Sequence, residues 1–300
     1  MVDRIASFAQ TNQLIENNLR VQKKYAEGQI QTSSGLKSDT YEGIARDTNQ
    51  ILNLESDYSR LTSQSENAQK ALDRSEASFD AVGSIIDIAQ SFQADISAAL
   101  SLTADPAEIE VVAEQDLQQI EALLNTQVAG RYIFSGSATQ TAPADFNDPA
   151  FGGAVIPSTA DTSYYQGNDF EHTVEASDDL KIEYGMSGDD TALEQIIRAY
   201  DLVRTTPGDP DTLEEALDLI QNGLDGLAVA KSTISETSQN LDQSINDNLD
   251  QMNLIDSMIS DLQEVDLAEV TVKLQEMEAQ LEASYAVTAD LLRLNLTDFI

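Results

Sequence analysis

The feature that most constrains this chain is a run of apolar residues from Ile51 to Leu100 whose spacing alternates between three and four. The seam reads Ile51, Leu54, Tyr58, Leu61, Ala68, Leu72, Phe79, Val82, Ile86, Ala89, Ile96 and Leu100, interrupted by Ser65, Ser75 and Gln93. That alternation places successive side chains on one stripe of an α-helix. Sustained over this length, it describes a helix packed along its axis in coiled-coil fashion. At ~1.5 Å per residue, a helix over 44–102 would be on the order of 90 Å long. A compact globule does not hold such an element, so the expected body is an elongated helical rod.

A partner for the stripe is written nearer the other end, where Ile234, Leu241, Ile245, Leu249, Met252, Ile255, Ile259 and Leu262 repeat the spacing. Between the two, "TADPAEIEVV" reads as a helix start. Asp105 is placed to cap, Pro106 to occupy the first helical position and Glu108 to close a capping box. Ile109, Val112, Leu117, Ile120, Leu124 and Val128 give this second helix one apolar face, ending at about Val128. Leu193, Ile196, Ile197, Tyr200 and Val203 make another such face. "VDLAEV" marks a last start, with Asp266 and Glu269 in capping-box spacing.

From Gly130 to Gly188 the helical period is absent. "RYIFSG", "TSYYQGN", "HTVEA" and "LKIEYG" read as short strands separated by Gly, Pro, Asn and Asp. The expected fold is therefore mainly α, a coiled-coil-like rod formed by both chain ends with a small β-rich domain inserted in the middle. In domain terms, 41–129 and 190–264 form the rod, 130–189 the outward insertion, and 1–40 with 265–300 the terminal helices. An inserted domain should tolerate change, so replacing 138–180 by a short linker is expected to leave the helices folded.

Composition narrows the function. Fifty-three acidic against sixteen basic residues give a net charge of −37, which repels phosphate backbones and anionic lipid; nucleic acid and membrane surfaces are not expected partners. No apolar run is long enough to span a bilayer, and the N-terminal stretch lacks the hydrophobic core of a cleaved secretory signal. The chain has no cysteine, so no thiolate site can be built, and its one histidine, His172, falls in an expected strand between Glu171 and Thr173, where neither a Ser-His-Asp triad nor a multi-histidine metal site is expected. "SGDDTALE" and "PGDPDTLEE" lack calcium-loop spacing and read as caps and solvated turns. No catalytic, cofactor-binding or metal-binding residues are assigned, and an enzyme is not expected.

The ends carry narrow apolar stripes: Ile5, Phe8, Ile15 and Leu19 on one side, Leu274, Met277, Leu281, Tyr285, Leu291, Leu292, Leu294 and Phe299 on the other. Single helices of this kind are marginal in water. These residues are expected to pack between copies of the chain, and both ends to be unprotected in a free monomer.

Particular segments carry a family resemblance. "QTSSGLKSDTYEGIA", 31–45, resembles the Ser-Ser-Gly-Leu segment after the first helix of the bacterial flagellin family, with "SDTYEG" where a "DDPA"-like run is usual. "DLAEVTVKLQEMEAQLEASYAVTADLLRLNL", 266–296, resembles the family's closing helix. "GRYIFSGSATQTAPADF", 130–146, and "YYQGN", 164–168, are similar to segments of its hook-filament junction branch. Filament flagellins can carry a related "GRYLF" motif, so both branches stand. The resemblance implies a structural subunit whose terminal helices line an inner tube, with Gly130, Arg131, Tyr132 and Phe134 anchoring the crossing into the outward domain and Phe134 and Phe146 in a small core there. It implies export by the flagellar type III route without a cleaved signal and an extracellular place at the hook-filament junction. The implied partners are further copies in a helical ring, a hook-side junction protein, filament flagellin and an export chaperone.

Overall fold

The computed structural model describes the backbone of residues 2–101 and 105–297 and, within these, the side-chain surroundings of 12–41, 43–101, 105 and 107–290. Among the described residues there are six α-helices: α1 (Val2–Ser34), α2 (Thr48–Leu100), α3 (Pro106–Leu124), α4 (Thr191–Thr205), α5 (Pro210–Gln263) and α6 (Leu267–Thr297). The strands are β1 (Gln127–Val128), β2 (Arg131–Tyr132), β3 (His172–Ser177) and β4 (Leu180–Tyr184). The fold is mainly α, with helices at both ends and a small β-containing middle. It divides into two compact units, Met1–Ser59 with Met252–Ile300, and Arg60–Gln251.

In the central unit one apolar cluster draws on α2, α3, α4 and α5. α2 supplies Val82, Ile85, Ala89, Phe92 and Ile96, α3 Ile109, Leu117, Ile120 and Leu124, α4 Leu193, Ile196, Ile197 and Tyr200, and α5 Leu213, Ile220, Leu227 and Ile234. Phe92 stacks on Tyr200 with ring centroids 4.0 Å apart. The expected seam of α2 is kept in part in this half, with Val82, Ala89 and Ile96 wholly buried, but the buried face extends beyond it. Ile85 and Phe92 are wholly buried, whereas Phe79 and Ile86 are only half-buried. A helix covered by more than one neighbour buries a wider face than a two-helix seam, and that face need not centre on the heptad line. Ser75, an interruption of the seam, is buried and hydrogen-bonded, accepting from Ser238 at 2.9 Å and donating to the Ile234 carbonyl at 3.4 Å.

α3 starts as its sequence requires, with the Asp105 carboxylate accepting the Ala107 N–H at 3.0 Å and Pro106 in the first turn. It stops at Leu124, short of Val128. The reason is distant in sequence: Asn125 donates to the Ala144 carbonyl at 2.9 Å and accepts from the Ala144 N–H at 3.0 Å, turning the chain off the helix. Val128 instead pairs with Arg131 across the β1–β2 hairpin. Its two-residue turn has positive φ at both Ala129 (51°) and Gly130 (73°), the geometry of a type I′ turn.

β3 and β4 form the second hairpin, with Val174 opposite Ile182. Its inward side chains Val174, Ala176 and Ile182 join Ala68, Ala71 and Leu72 of α2 and Leu241 and Ile245 of α5 in a second cluster. The Ala176 carbonyl accepts from both Ser244 and Asn248 of α5, each at 2.9 Å. "TSYYQGN" makes no strand. Only a single bridge, Ala144 to Tyr165, falls there; the Tyr165 N–H turns back to the Thr162 carbonyl at 2.9 Å, and the tyrosine side chains tie the segment to other backbone. Tyr164 donates to the Gly188 carbonyl at 3.0 Å, while the Tyr165 hydroxyl lies 2.8 Å from the Asn168 carbonyl and 3.1 Å from that of Phe134.

The middle segment has no core of its own. Phe134, Phe146 and Tyr164 belong to the same cluster as the helices, with Phe146 5.3 Å from Tyr164, ring to ring. The loop around 150–163 is tied to the helices by carboxylates. Asp201 accepts the Ala154 N–H at 2.8 Å, Glu194 that of Asp161 at 2.9 Å and Glu215 that of Ser158 at 2.7 Å. Asp201 and Glu194 are themselves buried, and each is paired with an arginine of α4, Arg204 at 2.6 Å and Arg198 at 3.2 Å. Replacing 138–180 would strip aromatic packing and leave charged groups short of partners, so the expected tolerance of this segment does not follow from the structure.

Candidate assembly surface

The terminal unit is built on α1 packed against α6. The inward line of α1 runs through Leu14, Asn18, Val21, Tyr25 and Gly28. That of α6 runs through Val270, Leu274, Met277, Leu281 and Ser284. Gly28 is the tight point, since a Cβ there would stand 2.9 Å from the Leu274 side chain. Two polar pairs cross the seam, Ser284 to Asn18 and Gln22 to Tyr285.

The residues expected at an assembly surface fall into three groups. Leu274, Met277 and Leu281 are half-buried on the α1-facing line, so much of their surface is already used within the chain. Ile15, Leu19 and Tyr285 are 46, 59 and 50% exposed, and with Ile30, Val272 and Val287 they leave apolar surface open on both helices. Ile5 and Phe8 in α1 and Leu291, Leu292 and Leu294 in α6 have side chains outside the described residues, and Phe299 lies outside them altogether. The open residues sit one position from the seam, at Ile15 beside Leu14 and Tyr285 beside Ser284. The signal that separates the two lines is polar: Asn18 and Gly28 in the seam look like poor core residues, yet they permit close approach and a cross-helix hydrogen bond.

"SSGLK" sits where three helix ends meet. Gly35 leaves α1 with φ 74°, its N–H bonded to the Gln31 carbonyl at 2.8 Å, the left-handed helix ending that glycine favours. The next residues pair with the chain beyond α5: Lys37 N–H donates to the Gln263 carbonyl at 2.7 Å and Val265 N–H to that of Gly35 at 2.9 Å. The Lys37 ammonium donates to the carbonyls of Asp261 and Leu262, each at 2.8 Å. α5 has no basic residue in its last turn, so this cation from another segment serves the negative end of its dipole. α6 begins immediately after, its first N–H groups held by Asp266 at 2.9 and 3.1 Å. Glu269 turns away from that cap to pair with Lys273.

At the crossing, Gly130 supplies the hairpin turn, Arg131 is exposed and Tyr132 half-buried. The anchoring burial lies just beyond, at Ile133, Phe134 and Ser135. Gly136 is required by space as well as by its φ of 58°, because a Cβ would stand 2.2 Å from the Asn168 carbonyl oxygen. His172 starts β3, bonds the Gly136 carbonyl through Nε2 at 3.0 Å and stacks on Tyr184. Burial raises the Tyr164 and Tyr200 phenols, so both remain neutral donors. It also raises Asp116, against the hydrogen bond from Tyr200 that stabilises its charge. Among the described residues no three histidine or carboxylate side chains converge as a metal site, and no helix is long and apolar enough to cross a membrane.

No protein-family model matches the chain, and no curated protein matches it in sequence. Solved structures do match. A Vibrio parahaemolyticus protein described as flagellar hook-associated superposes with a TM-score of 0.58 at 18% identity, over 75% of this chain and 99% of its own. Flagellar hook-associated protein 3 from Legionella pneumophila gives 0.56 at 10% identity, over 71% and 98%. Bacillus cereus FlgL gives 0.52 at 16%, over 70% and 99%. Nearly the whole of each solved chain is thus matched, with about a quarter or more of this one lying outside the match. The chain has the fold of the flagellar hook-associated proteins.

Proposed function

We propose that the chain is a structural, non-enzymatic subunit of the bacterial flagellum that self-assembles through its terminal helices at the junction between hook and filament. The observation that carries this reading is the fold, matched along almost the full length of two flagellar hook-associated structures and of Bacillus cereus FlgL. The terminal unit supports it: an α1–α6 pair that leaves Ile15, Leu19 and Val287 exposed has apolar surface to offer to further copies. In this reading 1–40 and 265–300 build the inner layer, 41–129 and 190–264 the helical body, and 130–189 the outward part. A hook-side junction protein, filament flagellin and an export chaperone are its partners, and its place is outside the cell.

Immunogold labelling of isolated flagella tests the location. Label confined to a band next to the hook is expected, and label along the filament would assign the chain to the filament instead. The assembly surface is tested by Ile15→Asp with Leu19→Asp. Both side chains are exposed, so the free monomer should change by no more than about 1 kcal/mol, about 0.5 for each substitution, while incorporation is lost and subunits leak into the medium. A monomer that unfolds, or a double variant that still incorporates, removes these two residues from the assembly surface.

A further inference from the structure

The charge of this chain is not spread as a mixture of signs. No Lys or Arg lies between Arg74 and Arg131, a stretch with ten carboxylates, and none between Lys231 and Lys273, a stretch with nine. All of α3, and α5 beyond Lys231, are therefore helices without a single cation. Same-sign pairs stand at the i, i+4 spacing where opposite charges would support a helix: Glu76 with Asp80 on α2, Glu214 with Asp218 on α5, and Glu278 with Glu282 on α6, all on exposed positions. The basic side chains cannot offset this, because even with every one of them paired the chain keeps its net charge of −37.

We propose that folding and copy-to-copy association of this chain require a high concentration of small cations, which screen the acidic helices diffusely. The association part rests on the assembly reading above; the folding part does not. Self-repulsion disfavours the compact state and disfavours a second such body beside the first. It weakens as the Debye length shrinks from about 10 Å at 0.1 M salt to about 3 Å at 1 M. α1 is the exception in charge, with exposed Arg20, Lys23 and Lys24 against Glu16 and Glu27. Attraction between this short cationic stretch and an acidic helix of another copy would weaken with salt, but it involves three charges against a net of thirty-seven, and exposed ion pairs are individually weak. Repulsion therefore sets the sign.

The test measures the thermal midpoint of the full chain by circular dichroism, and its association by sedimentation velocity, from 0.1 to 2 M NaCl. The midpoint should rise by several degrees and apparent association at least tenfold. To separate screening from general salting-out of apolar surface, the same series is run on a variant with Asp242→Asn, Asp247→Asn, Asp250→Asn and Asp256→Asn. With fewer charges to screen, its curve should move to lower salt. An unchanged or falling midpoint overturns the proposal, as does a variant curve that coincides with the original. Millimolar MgCl2 or CaCl2 reproducing the full effect of molar NaCl overturns it in favour of a specific divalent site. A midpoint that rises with salt in a protein that never associates upholds the folding part and counts against the assembly reading alone.

Discussion

The two units use the same heptad spacing to opposite ends. In the central unit, stripe positions such as Val82, Ile96, Ile120 and Ile196 are sealed in a core shared by four helices. In the terminal unit, α1 and α6 have each other, and their apolar residues divide between a half-covered seam and an open line. The spacing of apolar residues thus specifies that a helix has a stripe. How many neighbours cover that stripe is decided by the rest of the chain. A helix with one neighbour keeps surface for another molecule, and a helix with several does not.

The sharpest way to break this contrast is to truncate equivalent positions on both sides. Phe92→Ala removes a fully buried ring stacked on Tyr200 and should cost about 3–5 kcal/mol in urea unfolding. Equal sensitivity at half-buried Leu281→Ala would mean that the terminal pair is as well packed as the centre. Next in size is Ser244→Ala with Asn248→Ala, which leaves the buried Ala176 carbonyl without its two donors and should cost about 1–3 kcal/mol, read in the same assay. Gly35→Ala acts in the terminal unit alone. No atom lies within 4 Å of where its Cβ would stand, so the cost is that of a left-handed backbone, about 1–2 kcal/mol. Amide exchange should show α1 and α6 opening while the α3 amides stay protected.

The smallest effect concerns pH. Burial holds the Asp116 carboxyl above its ordinary value, with Asp95 adding to the shift and Tyr200 opposing it. A raised folded-state value means that the native protein binds the proton more tightly than the unfolded chain does. Stability is therefore gained as pH falls through the folded-state value, and the charge is a cost at neutral pH. Asp116→Asn should narrow the difference between melting at pH 7 and at pH 5. Because the group is partly solvated, the change should stay below about 0.5 kcal/mol. A wider difference would show that the hydrogen bond from Tyr200 outweighs desolvation.

Much of this architecture is legible in the residues. The two long stripes, the caps at Asp105 and Asp266, and the strands in "HTVEA" and "LKIEYG" follow from local rules of spacing and hydrogen bonding. What local rules do not carry is long-range. The end of α3 depends on Asn125 finding the Ala144 backbone, and "TSYYQGN", which makes no strand, is placed by tyrosine hydroxyls reaching carbonyls of other segments. At the candidate surface, Ile15 and Leu19 read as apolar positions and are open. Leu274, Met277 and Leu281 read identically and are partly covered, because Asn18 and Gly28 on the facing helix let α6 approach. A hydrophobic scale does not mark Asn and Gly as seam residues. Shape and hydrogen bonding do.

The two donors on the Ala176 carbonyl have a consequence for registration. A heptad stripe is self-similar, so an apolar ribbon laid along α5 could slide by two turns and meet nearly the same pattern of side chains. Ser244 and Asn248 are four residues apart on one face and converge on a single oxygen of the β3–β4 hairpin. Any slipped alignment would bury two side-chain donors and one carbonyl without partners. The pair works as a locating pin: apolar contacts hold the hairpin down, and this polar contact decides where along the helix it rests.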